Sequence, residues 1–352
     1  MTSRAARLAQ QRIKNLRDTA AAAVALRDPL ASAKELDKLL GKCGDPNDDP
    51  DVLTVTTEIH LYLSDVLALP FHSRRPGPLS PPEMIVWRKA EFHLKESVRL
   101  SNYALTTFAR LPPNLLVHHG WNELKGLVSI ADLHRTVNGH EEALRWAVAA
   151  LKRSLELKDK LFQARCLLLI GMIYIAQGKA EAGLGKLKTS MDHYRSAKHL
   201  LLGDRLDLPF HREGFFDCCW ELADALRSAK KLEDACAVLV QGISEGEDLE
   251  DATNTVPRRL TFLHAQVLFE LGRQPESVKA FESFVSEAAP DVPEMQVAIA
   301  YSLLASMHHG LGSNVQAWKY LTAAEHTLQA VAGAQWQQTP IAPALARTRA
   351  AL

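Results

Sequence analysis

The stretch Leu167-Leu-Leu-Ile-Gly-Met-Ile-Tyr-Ile-Ala-Gln-Gly-Lys-Ala-Glu-Ala-Gly-Leu-Gly-Lys-Leu-Lys-Thr-Ser-Met191 decides the fold. On both sides of Gly178, apolar and small residues recur at three- and four-residue intervals, the signature of one face of an α-helix. A glycine between two such runs ends the first helix, because it tolerates the left-handed backbone of a C-terminal cap. The stretch predicts two helices joined by a tight turn at Gly178. Gly171 and Gly183, one on each helix, leave room for the two backbones to approach.

The pattern recurs when the chain is read outward from this stretch. In Leu124 to Leu151, Leu127, Ile130, Ala131 and His134 share one face, the turn is Asn138-Gly139, and Ala143, Ala147 and Ala150 line the second helix. Ala131 takes the place of Gly171, and Ala143 that of Gly183. Later pairs place Ala223 and Ala235 around a Lys230-Lys231 turn, Ala265 and Ser277 around Gly272, and Ala305 and Ala317 around Gly312. The offsets are 40, 52, 42 and 40 residues, and the largest holds a loop around Asp204 to His211 that contains Pro209. β signals are scarce, and the one Asn-Gly pair lacks strand-like flanks. The chain reads as nearly all α.

The register of Ile170-Gly171, Tyr174, Gly178 and Gly183, repeated partially at Leu222-Ala223 and Ala235, resembles the tetratricopeptide repeat (TPR) superfamily. His264 departs from the pattern's leucine, and His134 and His308 from its aromatic. The resemblance covers roughly residues 115–326, and it implies a right-handed α-α superhelix. A unit is about 34 residues in that family, so spacings of 40 or more mean longer helices or loops, as in kinesin-light-chain-like or cohesin-loader-like repeats. The subfamily is not identified. Residues 1–42 form N-terminal helices, a cap or a targeting segment. Residues 52–110 form a divergent helix pair with a Pro-rich insertion at 70–82, whose five prolines exclude a helix. About five repeats fill 115–326, and 327–352 is a linker and tail. Ser80-Pro81 in the insertion is a candidate phosphorylation site beside Arg74 and Arg75.

Forty-one basic and 41 acidic side chains balance, which argues against a nucleic-acid-binding body. Five cysteines sit mostly in apolar helical patterns and read as buried thiols of a reducing compartment. No C-x-x-C pair is present, so no metal or other cofactor is expected. No apolar run approaches the roughly 18 uncharged residues of a membrane span. Arg4, Arg7, Arg12, Lys14 and Arg17 precede the first acid, Asp18. That start suits an ordinary first helix docked through Leu8, Ile13 and Leu16, and it also meets the compositional criterion for mitochondrial import. A cytoplasmic protein is expected, with a mitochondrial one as the alternative.

Each helix pair has two apolar faces and must stack to bury both. In the family this chain resembles, first helices line the concave surface. The candidate partner-binding residues are therefore Arg135 in one repeat, Leu168, Met172 and Ile175 in the next, then Trp220, Asp224 and Arg227, then Arg259, Phe262 and Phe269. Aromatics and arginines are enriched in interface hot spots. Trp220, Phe262 and Phe269 are also placed to be core between helices, the commoner fate of large aromatics at helical spacing. A carboxylate clamp for chaperone tails needs Lys and Asn where this chain has Val128 and Asp132, and an acid would repel a terminal carboxylate.

No catalytic motif stands in its required context. Gly183-Leu-Gly-Lys186 lies inside a repeat helix and is followed by Leu187. Gly242-Ile-Ser-Glu-Gly246 matches the G-x-S-x-G string, but a helix precedes Ser244. His118-His119 and His308-His309 are adjacent pairs, read as surface or groove residues, since neighbours on a helix diverge by about 100°. The sequence points to a non-catalytic scaffold or adaptor holding a segment of a protein partner, as one subunit of a larger complex. The alternatives are a receptor closing around a small peptide or metabolite, and an imported mitochondrial assembly factor.

Overall fold

A computed structural model describes residues 4–26, 28–43, 49–72, 77–108, 111–201, 208–247, 256–287 and 294–352. Among them are sixteen α-helices, one 3-10 helix and no strand. The helices are α1 (Arg4–Val24), α2 (Pro29–Cys43), α3 (Pro50–His72), α4 (Pro81–Thr107), α5 (Pro113–Thr136), α6 (His140–Glu156), α7 (Lys160–Ala176), α8 (Ala180–Ser196) and α9 (Lys198–Leu201). They continue as α10 (Leu208–Ser228), α11 (Leu232–Glu247), α12 (Arg258–Glu270), α13 (Gln274–Ser286), α14 (Met295–Gly310), α15 (Asn314–Ala332) and α16 (Ala342–Ala351), with the 3-10 helix at Gly333–Gln338. The chain divides into two compact units, Met1–His211 and Arg212–Leu352. The division falls inside α10, within the stretch expected to hold one continuous run of repeats.

The five aligned pairs are α5/α6, α7/α8, α10/α11, α12/α13 and α14/α15. Each turns at a residue with positive φ: Asn138, Gly178, Lys230, Gly272 and Gly312. At each one, two backbone bonds close the first helix. Gly178 donates to the Ile175 carbonyl at 2.9 Å and Lys179 to the Tyr174 carbonyl at 2.8 Å. The same bonds recur from Lys230 to Arg227 and from Lys231 to Leu226. This is the Schellman arrangement, which satisfies carbonyls that a helix end leaves orphaned. Lys158 makes a sixth such cap, between α6 and α7.

Twelve residues separate the small partners in every pair: Ala131 and Ala143, Gly171 and Gly183, Ala223 and Ala235, Ala265 and Ser277, Ala305 and Ala317. All are buried. A Cβ on Gly183 would lie 2.9 Å from the Gly171 carbonyl oxygen and 2.5 Å from Ile175 Cγ1. Ser277 Oγ donates to the Ala265 carbonyl at 3.0 Å, so the fourth pair touches at the same point.

In the first unit, Ile13, Leu16 and Ala20 of α1 pack with Leu36 of α2 and Ile59 and Leu63 of α3. The docking role expected of α1 is met through Ile13 and Leu16; the Leu8 side chain lies outside the described residues. Pro50–Phe71 is long and apolar enough to cross a membrane by length and composition, with mean hydropathy 1.3, but Asp51, Glu58 and Asp65 interrupt it and 72% of that window is buried inside the protein. One expectation fails nearby: the helix-free insertion is shorter than 70–82. Pro70 sits in the last turn of α3, and Pro81 and Pro82 open α4. A first turn leaves its N–H groups free of helix bonds, so proline costs nothing there. Arg74 and Arg75 lie outside the described residues. The Ser80 backbone N–H and hydroxyl both donate to the Glu83 carboxylate, at 2.7 and 2.6 Å. A phosphate on Ser80 would face that like charge.

Four of the described histidines, His60, His93, His119 and His211, are buried, which corrects the expectation of surface or groove residues for His119. Thr54 donates its hydroxyl to the Pro50 carbonyl at 2.7 Å, so its oxygen accepts from His119 Nε2–H at 3.1 Å. His119 Nδ1 is then the unprotonated nitrogen, and it has no partner. His60 and His93 meet Nδ1 to Nδ1 at 2.9 Å, so only one of the two nitrogens carries the proton. Burial, with His118 adjacent, pushes His119 down to about 4. Burial and the facing His93 do the same to His60. All five cysteines are buried, and none forms a disulfide among the described residues.

Three outcomes follow from this packing. Lys230→Gly relieves left-handed strain and should stabilise by about 0.5–1 kcal/mol, read as a higher denaturation midpoint. Gly183→Ala should lower the midpoint, because Cβ meets backbone oxygen; an unchanged midpoint would show that α7 and α8 separate freely. A buried histidine with a depressed pKa takes up protons more readily when unfolded. Stability is therefore complete above about pH 6.5 and falls toward pH 4, by on the order of 3 kcal/mol for His119. Thermal midpoints at pH 7.5, 6 and 5 should drop progressively, and His119→Gln should flatten the trend.

Candidate functional site

In the first unit the first helices α1, α3, α5 and α7 pack side by side. Their partly exposed charges are already paired. Glu58 of α3 accepts from Arg17 of α1 at 3.1 Å and from His118 of α5 at 2.9 Å. Burial alone would raise the Glu58 carboxyl, but the His118 hydrogen bond and the Arg17 guanidinium outweigh it and hold it below the usual carboxylate range. Lys125 of α5 reaches Asp65 of α3 at 2.7 Å, and Arg135 holds Asp132 at 2.8 Å within α5. Tyr62 stands half-buried one turn from both Glu58 and Asp65. Of this row the sequence argument named only Arg135; it missed the α3 members, because α3 lies outside the repeats whose register defined the candidates.

The apolar patch expected on α7 is not an outward surface. Leu168 is 1% exposed. Met172 packs at the edge of the cluster formed by Leu169, Ile170 and Ile173. Ile175 leans onto Gly183, across the pair. The reason is that α7 is apolar on nearly every side and is contacted by α5, α6 and α8. A helix hydrophobic all round is a buried helix.

In the second unit Phe262 is likewise core, 6% exposed, with ring centroids 6.0 Å from Phe281 and 5.2 Å from Phe284. Phe269 is half-buried against the same cluster. What remains at the surface is a polar frame around one aromatic. Trp220 of α10 is half-buried, with part of its ring at the surface. Asp217 and Asp224 lie three residues before it and four after, on the same helical face. Asp217 pairs with Arg259 of α12. Asp224 binds Arg227 at 2.9 Å, and Arg227 extends to Glu270 of α12 at 3.1 Å. Four of the ten candidates, Trp220, Asp224, Arg227 and Arg259, therefore fall together. The Glu270 contact was not legible, since it depends on the register between two separate helices.

A shallow hollow of about 670 Å³ lies elsewhere in this unit, lined by Glu233, Cys236, Val240, Gln241, Ser244 and Arg273. Ser244 sits within α11, without the strand that a nucleophile elbow requires. Among the described residues no group of three His, Cys, Asp or Glu side chains could hold a metal ion.

No protein-family model matches the sequence, and no curated protein matches it. Solved structures do match in shape. The STAND signal-transduction ATPase with a tetratricopeptide repeat sensor from Pyrococcus horikoshii aligns at TM-score 0.57 and 15% identity, covering 91% of this chain and 43% of its own. Aspartyl phosphate phosphatase F from Bacillus subtilis aligns at TM-score 0.50 and 13% identity, covering 89% of this chain and 67% of its own. The chain thus spans less than half of the first protein. At such identities the likeness is one of fold, and that fold is a TPR-like helical solenoid.

Proposed function

We propose that this protein is a non-catalytic interaction module that captures a segment of a partner protein on the α10–α12 surface. The observation that carries the proposal is Trp220, a partly exposed tryptophan between two aspartates whose charges are already met by Arg259 and Arg227. Prior pairing matters physically. A partner docking on Trp220 buries aromatic area without leaving an unmatched charge behind, whereas a lone buried carboxylate would oppose binding. The same frame offers arginine donors and carboxylate acceptors to a partner's backbone or side chains. The likeness to a protein named for its repeat sensor supports a recognition role over a purely structural one. One neighbour is named a phosphatase; against a catalytic role here, the Ser244 and Lys186 motifs both lie within helices.

Trp220→Ala tests the proposal directly. Trp220 is only partly exposed, so helicity should persist while the denaturation midpoint falls modestly, and at a temperature well below that midpoint recovery of at least one partner should fall about tenfold or more in quantitative co-purification from the native source. A partner set identical to the parent's would remove the site from consideration. If no protein partner is lost, but small peptides or metabolites raise the midpoint of the parent and not of the variant, the receptor alternative takes its place.

A further inference from the structure

Cations settle on aromatic rings at several points in this chain. Arg258 lies 4.5 Å from the centre of the Phe284 ring, Arg165 4.9 Å from that of Phe210, and Lys179 5.5 Å from that of Tyr174. Indole is the best cation acceptor among aromatic side chains. Yet among the described residues no cation, ring or hydrogen-bond acceptor meets Trp220. The arginines of its surface are drawn off by carboxylates. Arg259 is bound to Asp217. Arg227 donates from Nε and Nη2 to Asp224 Oδ1, at 3.2 and 2.9 Å, and from Nη1 to Glu270 Oε1 at 3.1 Å. Arg258 is turned to Glu294 and Phe284, and Arg212 stands more than two turns before Trp220 on α10.

The hydrogen bonding of this surface is lopsided in the same sense. Each of the three Arg227 nitrogens already donates to a carboxylate. Asp224 Oδ2 and Glu270 Oε2 accept nothing among the described residues, although both carboxylates are partly exposed. Arg259 Nε has no acceptor, but it is buried and out of a partner's reach. Asp224 follows Trp220 by one helical turn on the same face, which sets its open oxygen beside the ring. The surface thus combines spare acceptors, an uncovered π face, and three carboxylates against two guanidinium groups. Residues 212–352, the unit that carries it, hold 18 acidic and 11 basic side chains, so the wider field also draws cations.

We propose that the partner segment captured here presents an arginine or lysine, whose cationic head lies on the Trp220 indole and donates to Asp224 Oδ2. This rests on the binding role assigned to the surface above and adds the chemistry of the partner. An acidic residue in that place would meet three carboxylates and find both arginines engaged. An apolar one would strip water from Asp224 Oδ2 and give no donor in exchange. Arginine suits the geometry better than lysine, because its planar head stacks on a ring while its edge donates to a carboxylate.

Selection from a phage-displayed library of random peptides on the full chain, with sequencing of the retained pool, tests it. The parent protein should enrich Arg or Lys about fivefold or more at one position. Trp220→Ala should lose the selected peptides. Asp224→Asn, of nearly the same size, should lose the basic preference and bind a selected basic peptide about fivefold more weakly in titration. Replacing the anchor arginine of that peptide by citrulline, which keeps the shape and removes the charge, needs no protein variant. It should weaken binding to the parent by a similar factor and binding to Asp224→Asn much less, since each change removes the same contact. A selected motif that depends on Trp220 but is acidic or apolar overturns the cationic anchor and leaves the binding surface standing. So does a citrulline peptide that binds as well as the arginine one. Peptides retained equally by the parent and Trp220→Ala, or no enrichment at all, overturn the anchor and the surface together.

Discussion

Everything in this fold depends on how closely two backbones can approach at one point in each helix pair. Ala131 with Ala143, Gly171 with Gly183, and their three counterparts set that distance. The geometry is unforgiving where both are glycine, since a single methyl on Gly183 would lie 2.9 Å from a carbonyl oxygen of the facing helix. Close approach lets large neighbours such as Leu187, Leu239 and Phe281 fill the space beside the contact, and all three are fully buried. Dispersion gained this way is collective and depends on the absence of voids.

The turn chemistry serves the same end. A left-handed residue reverses the chain within a few positions, which keeps the small residues in register twelve apart. Glycine does this without strain at three of the five turns, and Asn138 and Lys230 do it at a cost. Once the pairs form, each still has apolar surface on two sides. Stacking buries it, and the helices with two such sides lose their amphipathic character. α7 is the clearest case, with Leu167, Leu168, Leu169 and Ile170 all buried in succession.

That is also why the fold was more legible than the site. Glycine turns, small residues at fixed spacing and apolar periodicity are local signals, and they gave the helices and their pairing. Periodicity marks which residues are apolar but not which of two apolar faces meets solvent. Leu168 and Phe262 therefore looked like groove residues and are core. Trp220 was named through its register on a first helix of the repeat, and only the packed structure shows that, unlike Phe262, it stays partly exposed beside Asp217 and Asp224. The Arg227–Glu270 and Lys125–Asp65 contacts join residues 43 and 60 positions apart, and only the packed structure brings them together. The prolines erred in the opposite direction. Read as breakers throughout, Pro81 and Pro82 instead begin α4, where a missing donor is harmless.

The constancy of the twelve-residue interval has a practical side. Between one pair and the next the offset ranges from 40 to 52 residues, yet within a pair it never changes. Added length is therefore absorbed between pairs, where it leaves the close contact within each pair unaltered. Connections between pairs, other than the capped turn at Lys158, are thus the natural permissive points of this chain, suited to receiving a reporter, a protease site or an extra module. The turn at Gly178, although exposed, is the place where even one inserted residue would throw two glycines out of alignment.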